Sequence, residues 1–280
     1  MEDKAEVNKI ITFSNVDGPG NRTAIFFQGC DIKCVYCHNP ETQRSCIRCM
    51  ECVKKCPTKA ITEKDGKIIF NEKICAKCDR CIKTCPHDAS PRTRLYTVKE
   101  LFDNICEYKE FIRGITVSGG EPTLHSDFIT ELFKMVKPLG LTCFVDSNGF
   151  FDRKKIANLI NETDKFMIDI KAVDNIEKVC CTDKKNNMDN LLYLLKMNKV
   201  YEVRTVLING YIDTLNTVKK VSYVLKDYPD VIYKLIRVHS AGLKDEQKEK
   251  IKDKIPSKSE VIDLAKMAGR IGVQRVKFIV

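Results

Sequence analysis

Nowhere in the 280 residues do apolar side chains run for the roughly eighteen positions that a membrane-spanning helix needs. The opening residues, MEDKAEVNKI, are charged and lack the apolar core of an export signal. A soluble, unexported, cytoplasmic protein is expected. Also missing is any block of like charge: the net charge of +10 comes from Lys and Arg scattered along the chain. That pattern reads first as a solvated basic surface and only weakly as a docking face for an acidic partner or nucleic acid. Apolar residues reach 43%, enough for the core of one large domain or of a medium domain with a small one, which argues against disorder.

Cysteine is present in excess. There are 15, an odd number, and most have only two or three residues between them, where disulfides between neighbours would close very small, strained loops. Without an export signal, metal ligation in a reducing compartment explains them better. Eight of them form an internal repeat, CIRCMECVKKCP from Cys46 and CAKCDRCIKTCP from Cys75, at a constant offset of 29. Each copy is C-x2-C-x2-C-x3-C-P, the run of two-cluster bacterial ferredoxins, in which the fourth cysteine serves the other cluster. On that crossed pattern Cys46, Cys49, Cys52 and Cys85 hold one [4Fe–4S] cluster, and Cys75, Cys78, Cys81 and Cys56 hold a second. Zinc sites generally use paired C-x2-C halves, whereas each half here has four cysteines closed by Pro57 or Pro86. The KIIF run beside Asp65-Gly66 predicts a short hairpin between the copies. In so small a module metals commonly substitute for a core.

Three further cysteines, Cys30, Cys34 and Cys37 in GCDIKCVYCHNP, have no fourth at similar range. His38, adjacent to Cys37, is poorly placed to complete a zinc tetrahedron. Three thiolates on an iron–sulfur cubane leave one iron open, and an open iron is a site for substrate or cofactor.

Outside the repeat, short apolar runs alternate with amphipathic stretches, which implies βα units and a mainly parallel sheet. Six strands are expected, around Ala24–Phe27, Ile115–Ser118, Thr142–Asp146, Phe166–Ile170, Glu202–Leu207 and Ile232–Val238, with a last helix and strand in the tail. Ligands of such sheets bind at the carboxyl ends of the strands, and the Cys30 loop follows the strand AIFFQG directly.

C-x3-C-x2-C after the first strand resembles the signature of the radical S-adenosylmethionine (SAM) superfamily. VDGPGNR before FFQGCDIKCVYCHNP resembles the activases of glycyl radical enzymes, and NKII-x-FS, the double ferredoxin run, GITVSGGE and DSNG most resemble the YjjW-type branch. The resemblance implies an α/β fold: a partial (β/α)6 radical SAM barrel formed by residues 1–43 and 89–280, with a two-cluster ferredoxin-like insert at 44–88. It implies three [4Fe–4S] clusters, with SAM chelated on the open iron of the Cys30, Cys34 and Cys37 cluster.

Residue by residue, Gly119, Gly120 and Glu121 match a strand end whose backbone and carboxylate meet the SAM amine. Asp146, Ser147, Met167 and Asp169 match strand ends that hold a monovalent cation, Na+ or K+, beside the SAM carboxylate. Ile170 and Lys171 lie near SAM, Arg204 at the following strand and His239 at the nucleoside, while Tyr36, His38 and Asn39 flank the cluster with the aromatic position near adenine.

The implied activity is one-electron cleavage of SAM to a 5′-deoxyadenosyl radical, which takes a hydrogen atom from a glycine of a partner glycyl radical enzyme. A flavodoxin or ferredoxin is the implied electron donor, with no membrane or nucleic acid partner and a monomeric state. A radical SAM enzyme acting on a small molecule or RNA is the alternative. Asp17 and Arg22, flanking Gly18-Pro19-Gly20, read either as holding the partner's glycine segment or as merely stabilising the turn. Cys106, Cys143, Cys180 and Cys181 match no ligand pattern; Cys106 and Cys143 read as core residues, and none of the four receives a role.

Overall fold

The computed structural model of the chain describes residues 4–280. Its strands are β1 (Lys4–Ser14), β2 (Arg22–Phe27), β3 (Ile61–Lys64), β4 (Lys67–Phe70), β5 (Arg94–Thr97), β6 (Gly114–Gly119), β7 (Thr142–Ser147), β8 (Lys165–Asp169), β9 (Val200–Leu207), β10 (Ile232–Arg237) and β11 (Arg275–Ile279). Nine of them form one sheet in the order β11-β10-β9-β8-β7-β6-β2-β1-β5, while β3 and β4 form a separate hairpin. Neighbours from β11 to β2 are all parallel, and β1 runs antiparallel to both β2 and β5.

All six expected strands are present. Two features exceed the (β/α)6 expectation. The tail strand β11 joins β10 as a further parallel strand, and the charged amino-terminal stretch is an eleven-residue strand, β1. Alternation explains it: Ala5 and Val7 point inward while Lys4 and Glu6 stay accessible, the pattern of a half-buried antiparallel strand.

The central strands are buried on both faces and so read as near-continuous apolar runs. All six residues of β2, RTAIFF, are buried. Some of the returning helices begin at sequence-encoded caps. Thr97 and Glu100 form a capping box before the helix Val98–Cys106, and Ser257 and Glu260 form another before Lys258–Ile271. Their apolar faces close a core around Ile25, Phe27, Ile115, Val145, Phe166 and Leu235.

Arg22, at the start of β2, is wholly buried. Its guanidinium donates to Thr116 Oγ1 (2.8 Å), Thr142 Oγ1 (2.9 Å) and the carbonyls of Ile115 (2.6 Å) and Thr142 (2.8 Å), and it lies over the Phe144 ring at 4.0 Å. The docking reading of Arg22 is therefore corrected: it pins the amino ends of β2, β6 and β7. Asp17 is also held internally, its carboxylate accepting from Ser14 Oγ (2.5 Å) and its carbonyl from Thr116 Oγ1 (2.5 Å).

The cysteine repeat lies between Arg44 and Ala89, which form an isolated β-bridge outside the sheet, and Arg44 N–H donates to Asp88 O at 3.0 Å. The sequence repeat is also a backbone repeat. Arg48, Met50 and Lys59 have positive φ, and so do Lys77, Asp79 and Asp88, their counterparts 29 positions on. The short helices Glu51–Lys55 and Arg80–Thr84 correspond in the same way. Only Cys52, Ala60, Ile61, Cys81 and Ile82 are buried between Ser45 and Asp88, too few apolar side chains to hold a fold of this size.

Candidate functional site

The loop after β2 is fastened on both sides. Buried Gln28 donates through Nε2 to Glu41 O (2.7 Å) and Arg44 O (2.6 Å), and the N–H groups of Gly29 and Cys30 donate to Thr42 O (2.8 Å) and Gln43 O (2.9 Å). On the far side, Lys33 N–H and Val35 N–H donate to Cys180 O and Val179 O, each at 2.9 Å. Cys30, Cys34 and Cys37 are thereby fixed at the carboxyl end of β2. Burial pushes the Cys37 thiol up to about 11 and the Cys30 thiol higher still. Thiols so raised ionise only beside a strong cation, which suits iron ligands and not free nucleophiles. Among the described residues no three His, Cys, Asp or Glu side chains converge as ligands of a single ion.

Directly against this loop sits the end of β6. Gly120 N–H donates to Phe27 O (3.0 Å) and Glu121 N–H to Gly29 O (2.7 Å). Gly119 has φ +116°, and a Cβ there would lie 2.3 Å from Phe27 O. Backbone contact between two loops dictates both glycines. The Glu121 carboxylate is turned inward and 1% exposed. It accepts from Thr123 N–H (3.1 Å), Thr123 Oγ1 (2.6 Å), Ser147 Oγ (2.9 Å) and Asn148 N–H (2.8 Å), and burial raises its pKa to about 7. In this structure the Glu121 carboxylate ties the end of β6 to the end of β7.

The strand ends of β7, β8 and β9 carry a closed charge network. Arg204 donates to both Asp146 and Asp169, to the latter from Nε at 2.7 Å, and Lys171 Nζ reaches Asp169 at 2.5 Å. Ser118 Oγ donates to Asp146 at 3.0 Å. Burial opposes ionisation of Asp169, but Arg204 and Lys171 outweigh it and hold the pKa at about 2. Between Asp146 and Asp169, where the sequence pointed to a monovalent cation, the guanidinium of Arg204 supplies the positive charge. Ser147 and Met167 are buried at 2% and 1%, and Ser147 Oγ is committed to Glu121. Ile170 is buried and its N–H donates to Arg204 O at 2.9 Å.

On the other flank, the His38 and His239 rings stack at 4.1 Å, and His38 Nε2 donates to His239 O at 3.1 Å. Burial, then the neighbouring His239, lowers the His38 pKa to about 4, so a neutral imidazole faces the site at pH 7. Tyr36, 2% exposed, packs with Ile32, Ala172, Ile176 and Val238 beneath the loop, and its hydroxyl has no hydrogen-bond partner among the described residues. His38 and His239 are the accessible aromatic pair. Asn39 precedes the short turn Pro40–Thr42, and its carbonyl accepts from Thr42 Oγ1 at 2.8 Å.

Cys46, Cys49, Cys52 and Cys85 line one cavity, which brings the fourth cysteine of the second copy to the first three of the first copy. Cys56 and Cys81 fall in one apolar cluster, and Cys49 and Cys78 are exposed. Two features have no signal in the sequence. Asp88 pairs with Lys33 of the cysteine loop (2.8 Å) and with Lys244 (2.7 Å), which also donates to Cys85 O (2.6 Å), so the repeat is tied to the loop. Cys180 lies 3.9 Å, sulfur to sulfur, from Cys34. Both join residues far apart in the chain. Of the remaining cysteines, Cys143 is a core residue and Cys106 is half-buried.

Residues 24–221 match the model of the radical SAM superfamily. A Haemophilus influenzae protein named as a glycyl-radical enzyme activating enzyme is 35% identical over 293 aligned positions, spanning 96% of this chain and 95% of that one. The trans-4-hydroxy-L-proline dehydratase activating enzyme of Clostridioides difficile is 34% identical, covering 81% of this chain and 82% of its own. The crystal structure of QueE from Escherichia coli superposes with a TM-score of 0.54 at 13% identity over 99% of this chain and 94% of that one, a likeness of fold. With a superfamily match across most of its length and relatives of this identity aligned almost end to end, the chain belongs to the radical SAM superfamily and, within it, to the family of glycyl-radical enzyme activating enzymes.

Proposed function

We propose that this protein activates a partner glycyl radical enzyme by abstracting a hydrogen atom from one of its glycines. The observation that carries the reading is the three-cysteine loop at the end of β2, backed by the Gly119-Gly120 turn, in a chain 35% identical to a protein named for that activity. Cys30, Cys34 and Cys37 would hold a [4Fe–4S] cluster with one open iron. When bound, that cluster supplies the electron that splits SAM into methionine and a 5′-deoxyadenosyl radical.

The chain's own residues orient the substrate. The turn of Gly119 and Gly120 brings backbone carbonyls next to the cysteine loop, its N–H groups at Gly120 and Glu121 being bonded to that loop, and Lys171, held by Asp169, offers a fixed positive charge to a carboxylate. Neutral His38, stacked on His239, supplies an apolar face for a nucleoside without a competing charge. A monovalent cation at Asp146 and Asp169 would require Arg204 to swing away. Buried walls around Tyr36 and Ile176 exclude water and stray hydrogen donors.

Residues 44–88 would form a two-cluster insert of the YjjW type, with Cys46, Cys49, Cys52 and Cys85 holding one cluster and Cys75, Cys78, Cys81 and Cys56 the other. These clusters would relay electrons from a flavodoxin or ferredoxin. The Asp88 links to Lys33 and Lys244 support rigid mounting of that insert against the cysteine loop. The test is anaerobic reconstitution: about twelve irons and twelve sulfides per chain on the count of eleven motif cysteines, 5′-deoxyadenosine released on reduction with SAM, and a glycyl radical by electron paramagnetic resonance when a candidate partner is added. Zinc in place of iron, or no radical with any glycyl radical enzyme of the source organism, overturns the reading.

A further inference from the structure

The cysteine loop leans on a short, conformationally costly segment. The helix Ile176–Cys180 is five residues long and is bounded by Asn175 (φ 57°) and Cys181 (φ 49°), two non-glycine residues in the left-handed region. Such conformations persist only where the surroundings over-determine them. Here the backbone is spent on the loop: Val179 O accepts from Val35 N–H and Cys180 O from Lys33 N–H, so the two bonds straddle Cys34. The result is a side-chain contact. Cys34 Sγ and Cys180 Sγ lie 3.9 Å apart, 8% and 0% exposed, among Tyr36, Ala172, Ile176 and Val179.

A buried cysteine needs no partner to serve as packing. This one is aimed at a sulfur that would carry negative charge as an iron ligand, in surroundings of low dielectric where even a weak S–H donor is attracted to such charge. Hydrogen bonds to ligand sulfurs stabilise the more negative, reduced cluster and so raise its potential.

We infer that Cys180 is a positioning residue that donates its S–H to the Cys34 sulfur and sets the reduction potential of the cluster held by Cys30, Cys34 and Cys37. The inference rests on the cluster assignment given under Proposed function. The donor keeps a cluster that must work at very low potential within reach of its reductant. Cys181, which is exposed, has no such role.

The experiment uses the full chain, reconstituted anaerobically, with the cluster identified as the one whose paramagnetic signal changes on adding SAM. In redox titrations of that signal, Cys180→Ala shifts the midpoint to more negative potential, whereas Cys180→Ser, which keeps an O–H donor, stays near wild type. An unshifted Cys180→Ala midpoint at equal iron content, or the same shift in Cys180→Ser, overturns the inference. An independent measurement covers the case in which the alanine variant fails to load. Infrared difference spectra of the wild type on cluster reduction show an S–H stretching band moving to lower frequency, and Cys180→Ser lacks it. A wild-type spectrum without that band also overturns the inference. A wild-type protein with no SAM-responsive cluster defeats instead the site assignment on which the inference rests.

Discussion

A Cβ on Gly120 would stand 2.0 Å from the carbonyl oxygen of Gly29 and 2.7 Å from that of Thr42. The turn after β6 and the loop after β2 thus touch backbone to backbone, and no side chain fits between them. Gly120→Ala must push the cysteine loop off its seat, at a cost of at least about 1–3 kcal/mol of overpacking. Iron bound at the Cys30 loop and SAM cleavage both fall, while insert iron remains. Iron analysis with quantitation of 5′-deoxyadenosine checks this.

Arg204 is the counter-ion of two buried carboxylates. Arg204→Ala leaves Asp146 and Asp169 buried without it, a change expected to cost about 3–5 kcal/mol at pH 7. Asp169 has a folded pKa of about 2, below the usual 3.8, so its contribution is present above pH 4 and lost as pH falls toward 2. The gap between wild type and Arg204→Ala therefore narrows below pH 4. Denaturant unfolding across that range measures it.

Glu121 runs the other way. Its folded pKa of about 7 lies above the usual 4.5, so between these values the folded state holds a proton that the unfolded state has released. Stability from this group is full below pH 4.5 and declines as pH rises to 7, by about 3 kcal/mol on the linkage relation. Glu121→Gln removes that slope. Unfolding midpoints at pH 5, 6 and 7 should decline in wild type and stay level in the variant.

The crossed ligand pattern makes a further distinction. Cys85 belongs to the second copy of the repeat but lines the cavity of Cys46, Cys49 and Cys52. Cys85→Ala should lower iron from about twelve to about eight per chain and remove the cluster of the first copy. Loss of the Cys75, Cys78 and Cys81 cluster instead, seen by electron paramagnetic resonance, would refute the crossing.

Much of this architecture was legible in one dimension. The six parallel strands announced themselves because strands covered on both faces are nearly continuous apolar runs, as RTAIFF is. β1 stayed hidden because an alternating strand with charged outward residues looks like an exposed terminus. The cysteine loop and the repeat were readable because their cysteines recur at fixed local spacing. Arg22 was misread for the opposite reason: a charged residue beside a glycine-rich turn looks solvent-facing, and only the meeting of β2, β6 and β7 supplies the four acceptors that bury it.

By itself the sequence determined the sheet's parallel strands, the placing of three cysteines after the first parallel strand, and the 29-residue repeat, which is written into the backbone as paired left-handed residues. These depend on local periodicity and spacing. Tertiary structure alone decided that Glu121 faces inward, that Arg204 joins Asp146 to Asp169, that Asp88 ties the repeat to the loop, and that Cys180 meets Cys34 across 146 positions. Each depends on which side chains share a buried space, and burial sets both the pKa of a carboxylate and the partner of a thiol only after distant strands have packed.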